Sequence, residues 1–94
     1  MGIEFEWNER KAKLNQRKHG VSFDEATTVF EDPLSATIWD PLHPSAGEER
    51  FVTMGISARG NLLVVVPSDW GDTIRIITAR RATRTERRNY EKAI

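Results

Sequence analysis

The sequence predicts an α+β fold: a twisted antiparallel sheet of about four strands, with two N-terminal helices on one face and a C-terminal helix, in one domain spanning residues 1–94. Three observations predict it. The first third of the chain carries helix punctuation, with Asn8 and Gly20 bracketing one polar segment and Ser22 and Pro33 bracketing another. From Leu34 to Ala79 the hydrophobic period switches to two, broken by short turn signals that suit a meander. A last capping signal, Thr83 with Glu86, opens a helix that runs to the C-terminus.

Taken in order, Phe5-Glu6-Trp7 reads as a short edge strand. Asn8 caps a helix running to about Lys18, Gly20 ends it, and Trp7, Leu14 and Lys18 fall on roughly one stripe of it. Ser22 and Glu25 form a capping box for the second helix, with Val21 and Ala26 as its hydrophobic staple. Phe23, Ala26, Thr27 and Phe30 recur at helical spacing until Asp32-Pro33 stops them. In 34–39, Leu34, Ala36 and Ile38 alternate with Ser35, Thr37 and Trp39, and 40–49, with two prolines and a glycine, reads as a loop. In 50–57, Val52, Met54 and Ile56 alternate with Phe51, Thr53 and Gly55. Arg59-Gly60-Asn61 marks a tight turn. The unbroken apolar run 62–66 suits a central strand covered on both faces. Asp69-Trp70-Gly71-Asp72 turns the chain again into a strand over 73–79. Links this short favour antiparallel neighbours. With both early helices on one face, the opposite face is left for other work.

Composition narrows the function. A chain of 94 residues buries about 60–65% of the surface it exposes when unfolded. One core fits, and an open groove suits it better than a large cavity. Hydrophobic residues at 38% and charged residues at 30% fit a globular domain. The absence of cysteine excludes disulfides, a thiol nucleophile and a cysteine-rich metal site. His19 and His43 lack metal-ligand spacing, so no metal or cofactor is expected. There is no Gly-x-Ser-x-Gly elbow, no His-Glu-x-x-His helix and no glycine-rich phosphate loop, and Gly55, Gly60 and Gly71 read as isolated turn or bulge residues. The adjacent carboxylates Asp24-Glu25 and Glu48-Glu49 carry no acid–base signal. No apolar run reaches membrane length and residues 1–7 are acidic rather than signal-like, so a cytoplasmic location is expected.

A net charge of zero conceals an asymmetry. From Arg75 onward there are seven basic and two acidic residues, a surplus of five balanced by residues 1–74. Such a patch attracts a polyanion locally, or simply solvates a helix face. Lys18-His19 closes the first helix, where a cation meets the last free carbonyls, and where an exposed imidazole can also exchange protons near neutral pH. Arg50 opens one strand and Arg80-Arg81 close another. Strict alternation puts Ile74, Ile76, Thr78 and Arg80 on one face and Arg75, Ile77, Ala79 and Arg81 on the other. Guanidinium stays charged and grips phosphate bidentately, although two arginines at a strand end also serve solubility. Trp39 and Trp70 stand near loops, as packing residues, as platforms for unstacked bases or as interface anchors. Tyr90 reads as a residue that packs the last helix down.

The ordered stretches Phe5-Glu6-Trp7-Asn8, Arg17-Lys18-His19-Gly20-Val21-Ser22-Phe23-Asp24-Glu25-Ala26 and Phe30-Glu31-Asp32-Pro33 resemble the BrnT toxin family. So do Glu48-Glu49-Arg50-Phe51-Val52-Thr53-Met54-Gly55, the run from Ile74 through Ala79-Arg80-Arg81-Ala82 to Thr83, and the segment from Glu86 to Tyr90. The resemblance covers nearly the whole chain. It implies a RelE-like fold and a type II toxin that cleaves RNA and inhibits translation. It also implies a BrnA-like ribbon-helix-helix antitoxin, two copies of each chain in the complex, and operator DNA contacted mainly through the antitoxin. The catalytic residues expected are Lys18, His19, Arg50 and Arg80, with Arg81, Arg84 and Trp70 holding RNA. Glu86 is a weaker candidate with a sufficient role as a cap. The competing expectation is a non-catalytic nucleic-acid-binding or protein-interaction module.

Overall fold

A computed structural model of the chain describes residues 3–39, 51–70 and 72–93, with the backbone alone for Trp39, Asp69, Trp70 and Ala93. The expected loop 40–49 and Arg50 lie outside the described residues.

Strand β1 (Glu4–Glu6) leads into helix α1 (Glu9–His19). Asn8 caps α1, its side chain accepting from the Lys11 amide at 3.1 Å, and Gly20 closes it in the left-handed region at φ 71°. Helix α2 (Phe23–Thr27) tightens into a 3₁₀ turn over Thr28–Glu31. Ser22 Oγ accepts from the Glu25 amide at 3.0 Å, but Glu25 does not reach back as a full capping box would, because its carboxylate is bonded elsewhere. Then come β2 (Ala36–Trp39), β3 (Phe51–Ile56), β4 (Leu62–Trp70), β5 (Thr73–Arg81) and α3 (Arg84–Ala93).

The sheet order is β1-β5-β4-β3-β2. The four later strands form the expected antiparallel meander, and β1 adds a fifth strand parallel to β5, with Phe5 opposite Ile74. Strand β4 runs past 66 because Asp69 and Trp70 still pair with Ile74 and Thr73, so two residues of the expected turn belong to the strand, while Gly71 lies outside the described residues. Pro67 is tolerated within β4 at a register irregularity.

That irregularity revises the parity of β5. Val66 pairs with Thr78 and Pro67 with Ile76, so Ile77 is the extra residue of a bulge. Past it the faces exchange. Ile74, Ile76, Ala79 and Arg81 share the face covered by α2, while Thr78 and Arg80 stand on the other, opposite Val66 and Val64. Strict alternation would have kept Arg80 with Ile76.

The main core joins Val21, Phe23, Ala26 and Val29 to Leu63, Val65, Ile76 and Ala79. Phe5 and Trp7 extend it, Phe5 tilted on Phe30 at 5.3 Å and Trp7 edge-on to Phe23 at 6.0 Å between ring centroids. The inward stripe of α1 is Ala12 and Asn15; Leu14, placed by its spacing on a stripe with Trp7 and Lys18, is exposed. Because β1 covers β5 only as far as Arg75, the edge beyond is open, and the buried Asn15 amide closes it. Its Nδ2 donates to the Ala79 carbonyl at 2.8 Å and its Oδ1 accepts from the Ala79 amide at 3.2 Å, as a neighbouring strand would. The opposite face is not left bare. Val52, Leu62 and Val64 are buried on it, and Asn89 and Tyr90 of α3 border the same hollow as Ala36, Ile38 and Met54.

Candidate active site

Arg80 stands where β5 hands over to α3. Its Nη1 and Nη2 donate to the two carboxylate oxygens of Glu86 at 2.7 and 2.9 Å, the fork geometry in which guanidinium binds best. Nη1 also donates to the Arg81 carbonyl at 3.2 Å. Glu86 meanwhile completes the predicted capping box: its Oε1 accepts from the Thr83 amide at 2.8 Å while Thr83 Oγ1 accepts from the Glu86 amide at 3.1 Å. One carboxylate therefore caps the helix and fixes the guanidinium. The Arg80 fork, helped by the Thr83 donors, holds the Glu86 carboxyl at a pKa of about 2 despite partial burial.

Lys18 and His19 end α1 beside β5. With Lys11, Leu14, Asn15, Ile77 and Thr78 they line a shallow depression of about 260 Å³. Lys18 is exposed and His19 half-buried. The bulge at Ile77 helps to shape this depression, since Ile77 and Thr78 both reach it. The two α1 residues are thus brought together, and Arg80 lies two residues past Thr78, tied to α3 rather than to the depression.

The RNA-holding candidates separate. Arg81 is exposed on the face opposite Arg80, and with Arg59 its charge helps Glu25. Arg84 is exposed in the first turn of α3. Trp70 pairs with Thr73 at the far end of the β4–β5 hairpin, six pairing positions and about 20 Å along β4 from Val64, the partner of Arg80. Arg50 precedes Phe51, the first residue of β3, and lies outside the described residues.

Two carboxylates that the sequence marks only as helix punctuation organise the surroundings. Burial alone would raise the Glu25 carboxyl, but hydrogen bonds from Asn61 and Ser57 and the charges of Arg59 and Arg81 outweigh it and lower its pKa. Its Oε2 accepts from Ser57 Oγ at 2.7 Å and Asn61 Nδ2 at 2.8 Å, which pins the β3–β4 turn to α2. Asp32 accepts from the Ile56 amide at 2.8 Å, the Leu34 amide at 2.9 Å and the Tyr90 hydroxyl at 3.0 Å. The two backbone donors, Ile56 first, lower its pKa, while burial and then Asp32 raise that of Tyr90. Sequence spacing gives no sign of these long-range partners. Among the described residues, no group of three or more His, Cys, Asp or Glu is placed to hold a metal ion.

The family model for the ribonuclease toxin BrnT of type II toxin–antitoxin systems matches residues 7–86. The crystal structure of the Brucella abortus ribonuclease toxin BrnT is similar at a TM-score of 0.65 and 18% identity, covering 87% of this chain and 99% of that one. No match was found among curated proteins. The fold is that of a small toxin of RelE-like architecture. The chain belongs to the BrnT family of ribonuclease toxins of type II toxin–antitoxin systems.

Proposed function

We propose that this toxin cleaves RNA as a metal-independent endoribonuclease, using the substrate's own 2′-hydroxyl as nucleophile. The observation that carries the reading is the family match across residues 7–86, which takes in Lys18, His19, Arg50, Arg80 and Glu86. In the reaction, the 2′-oxygen bonds to the adjacent phosphorus and the bond to the 5′-oxygen breaks. The 2′-hydroxyl gives up a proton and the departing 5′-oxygen takes one. Such an enzyme must align these atoms and stabilise the extra negative charge on phosphorus.

Arg80 stabilises that charge. Glu86 is a positioning residue that holds the guanidinium plane before substrate arrives. Lys18 anchors a phosphate, His19 exchanges a proton, and Arg50 assists Arg80. Arg81, Arg84 and Trp70 hold the flanking strand; a polynucleotide is long enough to span the hairpin between Arg80 and Trp70. A BrnA-like ribbon-helix-helix antitoxin neutralises the toxin in the cytoplasm as a complex of two copies of each. Operator DNA is bound mainly through the antitoxin.

The test is induction of the toxin alone in a bacterial host, followed by growth and bulk RNA integrity. Arrest with RNA fragmentation, absent in a folded Arg80→Ala variant, supports the reading. Intact RNA and normal growth with soluble folded toxin point instead to a non-catalytic binding module, and full toxicity of Arg80→Ala removes the role given to Arg80.

A further inference from the structure

The surplus of positive charge after Arg75 is matched by a second basic surface. Helix α1 carries Arg10, Lys11, Lys13, Arg17 and Lys18 against the single acid Glu9. Two of these cations, Lys11 and Lys18, stand two helical turns apart and both line the depression on β5. Leu14 lies between them, 54% exposed, in a position that core packing does not require. Ile77, displaced by the bulge, and Thr78 complete the lining. Among the described residues, neither Lys11 nor Lys18 has an ion-pair partner.

We propose that this depression is a nucleotide subsite for single-stranded RNA, in which Lys11 binds a phosphate and Leu14 with Ile77 receives an unstacked base next to Lys18 and His19. This rests on the ribonuclease reading and extends the substrate contact along α1, away from α3. Its volume of about 260 Å³ is below the range of drug-sized pockets, which suits one nucleotide. An apolar floor between two cations matches a nucleic-acid strand, whose bases are apolar on their faces and whose phosphates flank them. Sequence-tolerant capture of single strands combines these same two features. An apolar floor without flanking cations would suit a protein side chain instead. A duplex would not use this apolar floor, because its bases are stacked and their faces inaccessible.

The variants Lys11→Ala and Leu14→Ser alter exposed side chains, so the fold is retained. Lys13→Ala is the control: it removes the same charge from the same helix at a residue that does not line the depression. Binding is read by fluorescence anisotropy with a short 2′-O-methyl RNA oligonucleotide, which lacks the nucleophilic hydroxyl. Lys11→Ala and Leu14→Ser are expected to weaken binding about tenfold. Lys11→Ala also lowers the salt slope by about one, and Lys13→Ala changes affinity less than twofold. In cleavage assays both variants raise KM with kcat nearly unchanged. Equal behaviour of Lys11→Ala and Lys13→Ala, or wild-type affinity of Leu14→Ser, overturns the subsite even where the toxin cleaves RNA normally. Leu14-dependent binding without any cleavage upholds the subsite and removes the ribonuclease reading instead. Leu14-dependent binding of poly-glutamate, with none of the oligonucleotide, overturns the subsite in favour of an acidic protein segment.

Discussion

Glu86 shows how one side chain joins stability to chemistry. Its capping role was legible from Thr83-x-x-Glu86, whereas its grip on Arg80 was not, because that contact depends on the angle at which β5 passes into α3. Glu86→Gln separates the two roles: an amide oxygen still accepts from the Thr83 amide, but the charge on Arg80 goes uncompensated. The folded-state pKa of about 2 lies below the ordinary 4.5, so the carboxylate contributes stability fully above about pH 4.5 and loses it as pH falls through about 2. Urea unfolding at pH 7, 4 and 3 should show the variant about 1 kcal/mol less stable at pH 7, after allowance for solvent screening of a pair that is still partly exposed, and a flatter acid limb. Its RNA cleavage should fall about tenfold in kcat with little change in KM, as expected when a positioning residue is lost. An acid limb unchanged from wild type would show that the pair carries no linkage. Asn15 is the other residue of this kind. Read along the chain it is only a poor helix former inside α1, yet its amide stands in for a missing strand. Asn15→Ala leaves the Ala79 amide and the Ala79 and Val21 carbonyls without their partner, and should cost about 2–4 kcal/mol in chemical denaturation. A loss below about 1 kcal/mol would mean that water replaces it.

Among the elements, those with local punctuation were legible and those defined by long-range contact were not. Asn8 and Gly20 fixed α1 because caps and left-handed turns are local chemistry. The bulge at Ile77 has no local signature; it arises where Pro67, lacking an N–H, interrupts the β4–β5 ladder, and it decides which arginine faces α3. Gly55 is a similar case. Read within the strand 50–57 and as an isolated turn or bulge residue, it lies inside β3, where the 3₁₀ turn crosses it closely. A Cβ there would stand 2.9 Å from Ser35 Cβ, 3.0 Å from Val29 Cγ1 and 3.2 Å from Asp32 Oδ2. Gly55→Ala must push these apart and should lower stability by about 1–3 kcal/mol, with a matching fall in melting temperature. An unchanged melting temperature would show that the 3₁₀ turn moves away freely. The same turn anchors α3, since Asp32 closes it and receives Tyr90. Tyr90 was read correctly as the residue that packs α3 down, but its partner, 58 residues earlier, was beyond any sequence window.

At the scale of the molecule, the α+β class, the meander and the helices were legible because their periods and turns are written along the chain. The edge strand β1 was legible too, but its parallel pairing with β5 and the partial covering of the second face by α3 were not, because they depend on how the elements close on the sheet in space. The candidate site followed the same division: Lys18 and His19 were already neighbours in sequence, while the depression they share with Lys11, Leu14 and Thr78 exists only once α1 lies against β5. A domain of 94 residues that does this leaves apolar surface uncovered: Ile3, Leu14, Leu34, Ile38 and Phe51 are each at least 47% exposed. A partner that covers part of that surface binds the folded state and not the unfolded chain, and so stabilises it by mass action. The proposed antitoxin therefore predicts more than loss of RNA cleavage. Titrated with a cognate ribbon-helix-helix protein to about a thousand times its Kd, the toxin should gain about 4 kcal/mol. For a domain this size that is a rise of roughly 15 °C or more in melting temperature. Light scattering of the same mixture should give the mass of two toxins and two antitoxins. Cleavage suppressed without any rise in melting temperature would mean that the antitoxin sequesters RNA rather than the toxin, and the partner assignment would fail.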